Sequence, residues 1–246
     1  MATLLIIFAK EPVPGQVKTR LCPPLAPEAA ACLYQSFLAD ILEEMGGLAG
    51  LHLALAYSPA GAQAYFNGLV PASVGLLPQE GADLGERMAR AFDWGFAAGF
   101  DPVFLRGSDT PDLPGSVVRQ GEKVLVAGGA QVVLGPSPDG GYYLVGLRAP
   151  HPELFRDLVW SGAAVLKDTL KQARRLSLTV RLLPEWPDID DFDGLVSFLK
   201  RPHPAPGPGW RSEVLARQLI AQAAVGTPAG LTGSEAALSG GLKPNG

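Results

Sequence analysis

Thr3-Leu4-Leu5-Ile6-Ile7-Phe8-Ala9-Lys10-Glu11-Pro12-Val13-Pro14-Gly15-Gln16-Val17-Lys18-Thr19-Arg20-Leu21 is the stretch on which the fold reading turns. Leu4–Ala9 is apolar at every position, without the alternation of a strand that has one wet face. Such a run suits a parallel strand covered on both sides. It is too short to cross a bilayer, and no basic segment precedes it as in a signal peptide, so a cytoplasmic protein is expected. Two prolines and a glycine then force an extended loop that carries Lys10, Lys18 and Arg20.

Strand-like and helix-like runs alternate from there on. Glu28–Met45 reads as a helix, Leu51–Tyr57 and Val74–Leu77 as strands, and Asp83–Ala98 as a helix with Asp83 as N-cap and Glu86 three residues later. Val103–Arg106 is a strand and Ser116–Val126 a helix. Gln131–Leu134 and Tyr142–Leu147 are strands around a loop, followed by helix Ala163–Arg174, strand Thr179–Leu183 and helix Asp191–Leu199. This alternation predicts an α/β fold, a three-layer α/β/α sandwich around a mostly parallel mixed sheet. Residues 1–200 form the expected catalytic domain. Residues 201–246 begin with a Pro/Gly-rich linker, include a possible helix 213–224 and end in a flexible tail.

Composition narrows the function classes. The chain has 246 residues, 47% hydrophobic and 18% charged, enough to bury a sizeable core. A net charge of −4 argues against a surface built to hold nucleic acid. Two cysteines, Cys22 and Cys32, exclude a cysteine-rich zinc module and a disulfide scaffold.

Five segments carry candidate chemistry. The cationic loop (Lys10, Pro14, Gly15, Lys18, Arg20) offers backbone N–H groups and positive charge to a phosphate chain, the alternative being a solvated basic loop. Gly107-Ser108-Asp109-Thr110-Pro111-Asp112 follows a buried strand, at the sheet edge where ligands bind. Asp109 is there a candidate ligand for a hard divalent ion, or a turn residue; Asp112 can assist, can meet substrate, or can start the next helix. Asp188, Asp190, Asp191 and Asp193 lie close together, and helix capping does not easily explain all four. Pairing Asp109 with Asp190 gives a site for Mg²⁺ or Mn²⁺. Asp139-Gly140-Gly141 reads as a hairpin turn, with Asp139 able to bind a substrate hydroxyl and the glycines allowing close backbone approach. Gln79, Asp83 and Gly85 form a possible nucleotide-binding edge, where the Gln79 amide reads a base and the glycine leaves room; a plain loop and helix start is the alternative.

Taken in order, these segments resemble the nucleotide-diphospho-sugar transferase superfamily, with its GT-A-type fold. Within it the chain looks most like a bacterial family of small glycosyltransferases associated with radical-SAM and selenium-related neighbours. The likeness spans about Thr3 to Leu199 and is carried by Phe8–Leu21, Gly81–Met88, Gly107–Pro111, Pro138–Gly146 and Asp188–Asp190. The layout is also similar to 2-phospholactate and molybdenum-cofactor guanylyltransferases. The loop after the first strand lacks their Gly-Gly-x-Ser/Thr-x-Arg-Met pattern, and Asp191-Phe192-Asp193 stands where Thr-Pro-Glu-Asp is common. The resemblance implies that Lys18 and Arg20 contact nucleotide phosphates and that Asp109 and Asp190 hold the metal. It also implies that Asp139, Gly140 and Gly141 line the acceptor or sugar pocket, and that Asp109, Lys18 and Asp139 are the catalytic residues.

The resulting expectation is a metal-dependent transferase that moves a glycosyl group from a nucleoside diphosphate sugar to a small-molecule acceptor, with Asp139 or, as the alternative, Asp112 as general base. Nucleotidyl transfer from a nucleoside triphosphate, a non-catalytic nucleotide-binding module and a plain interaction protein are the alternatives. A nicotinamide-dependent oxidoreductase is excluded, because no Gly-x-Gly-x-x-Gly follows the first strand.

Overall fold

A computed structural model of the chain describes residues 2–160, 162–201 and 210–225. In chain order the elements are β1 (Thr3–Lys10), α1 (Pro27–Gly46), β2 (Leu51–Ser58), α2 (Gln63–Leu69), β3 (Gly75–Pro78), α3 (Leu84–Ala97) and β4 (Val103–Arg106). Then come α4 (Gly115–Val126), β5 (Val132–Pro136), β6 (Tyr142–Leu147), α5 (Val165–Arg175), β7 (Val180–Leu182), α6 (Phe192–Phe198) and α7 (Arg211–Ala224).

The strands form one sheet in the order β3-β2-β1-β4-β6-β5-β7. β6 runs antiparallel to both β4 and β5, while β1 is parallel to β2 and to β4. The predicted α/β sandwich with a mixed, mostly parallel sheet is therefore what the chain forms. β1 explains its own composition. Leu5, Ile7 and Ala9 enter the core shared with α1, α2, α4, α6 and α7, while Leu4, Ile6 and Phe8 enter or flank the core shared with α3 and α5. From β1 the chain builds outward in both directions, so a crevice opens at the carboxyl ends of β1 and β4.

α2 was not anticipated. It has seven residues and one fully buried side chain, Phe66, so it leaves almost no periodic signal. The predicted flexible tail beyond Val225 lies outside the described residues, as does the stretch 202–209. Cys22 and Cys32 are free thiols.

α7 is docked by an arrangement no local pattern announces. Its N-cap residue, Trp210, supplies no side-chain cap. The buried Asp40 of α1 accepts instead from the Arg211 N–H at 3.1 Å, the Ser212 N–H at 2.8 Å and the Ser212 hydroxyl at 2.5 Å. Burial pushes the Asp40 carboxyl up from its usual range, against these hydrogen bonds. Asp40→Ala would leave the first turn of α7 uncapped inside the core. It is expected to cost about 2–3 kcal/mol in urea unfolding, above an ordinary cap because the donors are buried. A loss below about 0.5 kcal/mol would mean that Asp40 does not hold α7.

Candidate active site

A cleft of about 730 Å³ lies at that carboxyl edge. One wall is the loop after β1. Val17 and Leu21 are buried in the α1 core and anchor it. Between them Lys18 adopts a left-handed backbone, φ 49°, and its side chain turns inward with only 6% exposure. The ammonium sits 2.6 Å from Asp109 Oδ1, 2.6 Å from the Ile189 carbonyl and 3.5 Å from Asp190 Oδ1. It also lies 5.7 Å from the centre of the Phe37 ring.

The floor is the end of β4. Asp109 follows Ser108, whose hydroxyl pairs with the Tyr34 hydroxyl at 2.7 Å. Tyr34 in turn accepts from the Lys10 N–H, so the ends of β1 and β4 share one buried polar link. Arg106, fully buried, donates to the Thr110 carbonyl at 2.6 Å and the Thr110 hydroxyl at 2.9 Å, fixing the turn. Burial draws its pKa down to about 10, opposed by Asp112, Tyr143, Asp188 and Asp109. It remains a cation at neutral pH, beneath the carboxylates.

The segment after β7 crosses this floor, pinned by N–H donation from Leu183 to Leu134, from Trp186 to Pro136 and from Ile189 to Asp109. Ile189 is fully buried, which leaves Asp188 and Asp190 on the opposite, cleft-facing side. The remaining acids of the run do helix work: Asp191 caps α6 by accepting from the Gly194 N–H at 2.8 Å, and Asp193 lies in the first turn. The β5–β6 hairpin supplies Asp139, whose carboxylate also accepts from the Gly141 N–H. Asp139, Asp188 and Asp190 each offer a carboxylate oxygen within 4.8 Å of the other two. Burial, then repulsion from Asp109, Asp190 and Asp139, pushes the Asp188 carboxyl up to about 7.

These oxygen donors suit Mg²⁺ or Mn²⁺, both hard cations. The anticipated pair was Asp109 and Asp190. In the structure Asp109 is engaged by Lys18, and the mutually close acids are Asp139, Asp188 and Asp190. Asp188 was not singled out by sequence reasoning. The signal was the Asp-Ile-Asp pattern itself, since residues i and i+2 of an extended segment share a side.

Lys10, Lys18, Arg20, Gln79, Asp109, Asp139, Gly141 and Asp190 all line the cleft. Gln79 spends its amide N–H groups on the Ala9 and Ala56 carbonyls. Pro14 and Gly15 are exposed and do not line the cleft. Asp83 caps α3 by accepting from the Glu86 N–H. Asp112 was expected to meet substrate. It is buried away from the cleft, accepting from Arg201 at 2.8 Å and from the Trp186 indole at 3.1 Å. Two glycines read as room for ligand are instead packing positions. A Cβ on Gly85 would lie 2.3 Å from the Phe155 carbonyl oxygen, and one on Gly140, φ +92°, would lie 2.0 Å from that of Ala163. Trp160 lines the cleft as well.

Residues 41–162 match the family described as "Uncharacterized protein conserved in bacteria (DUF2064)". That stretch includes Asp109, Asp139 and Trp160 but not Lys18, Asp188 or Asp190. A structure from Desulfovibrio desulfuricans G20, described as a "putative nucleotide-diphospho-sugar transferase", is 33% identical with a TM-score of 0.84 and covers 92% of this chain and 98% of that one. A 4-diphosphocytidyl-2C-methyl-D-erythritol synthase is 11% identical, with a TM-score of 0.51 over 80% of this chain and 97% of that one, a likeness of fold alone. None of the curated proteins compared matches the chain. No helix among the described residues is long and apolar enough to cross a membrane. The chain belongs to the same family as the Desulfovibrio protein, is built on the nucleotide-diphospho-sugar transferase fold and carries the DUF2064 match over residues 41–162.

Proposed function

We propose that this protein is a divalent-metal-dependent transferase that moves a glycosyl group from a nucleoside diphosphate sugar to a small acceptor. The observation that carries the reading is the meeting of Asp139, Asp188 and Asp190 in the cleft that the cationic loop also lines. A Mg²⁺ or Mn²⁺ ion held by these carboxylates would offset the charge that builds on the diphosphate leaving group. Lys10 and Arg20, both exposed on the loop, add positive charge for the phosphates. Lys18 pairs with Asp109 and Asp190 and so competes with the ion for their charge. In the transfer the acceptor oxygen bonds to the sugar's anomeric carbon, the bond from that carbon to the diphosphate breaks, and the acceptor proton passes to a carboxylate. We assign that role to Asp139, exposed at the hairpin tip, through the carboxylate oxygen other than the one offered to the ion; Asp112 is buried away from the cleft.

The test is a thermal-shift screen of nucleoside di- and triphosphates, each with Mn²⁺ and with EDTA. One base is expected to raise Tm, and only with the metal. Incubation with the matching sugar nucleotide should then release the diphosphate. Pyrophosphate release from a triphosphate would assign nucleotidyl transfer instead, and no shift with any nucleotide would overturn the reading. Asp190→Ala is expected to lower turnover about a hundredfold or more at near-native Tm, the scale of losing charge stabilisation in the transition state. Unchanged turnover would remove Asp190 from the site.

A further inference from the structure

We propose that Trp160 and Tyr142 form the seat of the donor's sugar ring, whose apolar face packs against the indole. The inference rests on the transferase reading and adds to it the position and chemistry of the sugar subsite.

The cleft straddles the edge of the sheet, and its two sides differ. The Lys18 side continues the α1 core and carries charge. On the other side Phe8, Leu84, Met88, Tyr142, Trp160 and Val165 line the cleft, and most of them pack on or belong to the α3–α5 core. Substrate sites of this kind are mainly apolar, with a few polar groups that set orientation.

Trp160 is held from two directions. Gly85, at the start of α3, lies so close that a Cβ there would come within 2.9 Å of the indole nitrogen. The Tyr142 ring stands nearly edge-on to Trp160, with centroids 6.4 Å apart. The backbone just beyond is fixed too, because Gly140 packs directly on the Ala163 carbonyl and the Leu166 N–H donates to the Gly140 carbonyl at 2.8 Å. Stability does not account for the position. The indole N–H is buried without a hydrogen-bond partner among the described residues, an arrangement that costs stability. Local faults of this kind are tolerated at functional positions, and this one lies in the wall of the cleft.

Gly140 also decides which ring sits there. It follows Asp139 directly, so the wall is fastened to the carboxylate cluster. In a nucleoside diphosphate sugar the sugar ring is bonded to the diphosphate directly at its anomeric carbon and the ribose through one methylene, whereas the base lies beyond the ribose. With the diphosphate at the carboxylates, the nearer ring is the sugar. A pyranose presents a face of C–H groups, which suits the electron-rich face of an indole.

The experiment compares binding of matched pairs by calorimetry with Mn²⁺: UDP and UDP-glucose, GDP and GDP-mannose, ADP and ADP-glucose. Wild type, Trp160→Ala and Trp160→Phe are used, with Tm recorded for each. For the pair that wild type binds, Trp160→Ala is expected to weaken the sugar nucleotide about tenfold and the bare diphosphate less than about twofold, the scale of one aromatic contact. Trp160→Phe, which keeps a ring, should retain most of the affinity. Equal losses for both members would overturn the proposal by assigning the wall to the base or to cleft shape, and so would no loss for either. If wild type binds the diphosphate but gains nothing from the sugar, the subsite is refuted while the transferase reading stands. If no nucleotide shifts Tm in the thermal screen and wild type binds none of the six compounds, the transferase reading itself fails and this inference fails with it.

Discussion

Lys18→Met is expected to destabilise the metal-free protein by about 2 kcal/mol and, at the same time, to tighten its hold on Mn²⁺ about tenfold. The opposite signs follow from a count of donors. An ammonium has three N–H groups, and here three acceptors surround it: the Ile189 carbonyl, Asp109 and Asp190. Removing it leaves two carboxylates uncompensated beside Asp139 and Asp188. Breaking a fully buried pair costs about 3–5 kcal/mol, but Asp109 and Asp190 keep 43% and 41% of their side-chain surface, so water carries part of the loss. The gain in metal affinity arises because a fixed positive charge now stands 3.5 Å from one of the clustered acids. Urea unfolding in EDTA reads the first effect and calorimetric titration with Mn²⁺ the second; added Mn²⁺ should return most of the lost stability. A variant that binds Mn²⁺ more weakly than wild type would show that Lys18 organises the carboxylates rather than competes for them. The same count bears on the phosphates. For Lys18 to meet a donor it must release one of these acceptors, whereas Lys10 and Arg20 are exposed on the loop.

The architecture was legible because its signals are local. Leu4–Ala9 has to be buried on both faces, Asp83 and Glu86 announce a helix start, and Asp139-Gly140 announces the hairpin that reverses β6. The site was legible only where a residue's position follows from its own element, as with Asp109 at the end of β4. Roles set by distant partners were not. Asp112 reads as a second active-site acid until Arg201, 89 residues away, is seen to engage it. Gly85 and Gly140 read as openings for a ligand, and only the positions of Phe155 and Ala163 show that they admit neighbouring backbone. The four acids between positions 188 and 193 could not be sorted by charge, because sorting them requires that Ile189 point inward. Asp40 did leave a trace, as an acid on a helix surface otherwise filled by Phe37, Leu38, Ile41 and Leu42, but its partner on α7 did not.

Metal-free protein is expected to lose stability as pH rises from about 4 to 7, and Mg²⁺ to reverse that loss. The cause is Asp188. Its carboxyl is pushed from 3.8 to about 7 by burial first and by Asp109, Asp190 and Asp139 next. The folded state therefore holds this proton more tightly than the unfolded state does. The advantage is complete below the unfolded value and disappears as pH climbs through the folded one. Because Asp188 is not fully buried, about 1–2 kcal/mol is expected rather than the full equivalent of the shift. A bound cation reverses the electrostatics, since it favours the ionised carboxylate and screens it from its neighbours. Mg²⁺ should thus raise Tm markedly at pH 8 and little at pH 5, and its binding near pH 6 should release a proton. Other groups titrate over the same range, so the decisive comparison is with Asp188→Asn. That variant cannot ionise, and it should lose both the fall in stability between pH 5 and pH 8 and most of the response to Mg²⁺. If wild type and variant trace parallel curves in EDTA, Asp188 is already ionised in the folded protein, and its three acidic neighbours exert less force on it than their spacing implies.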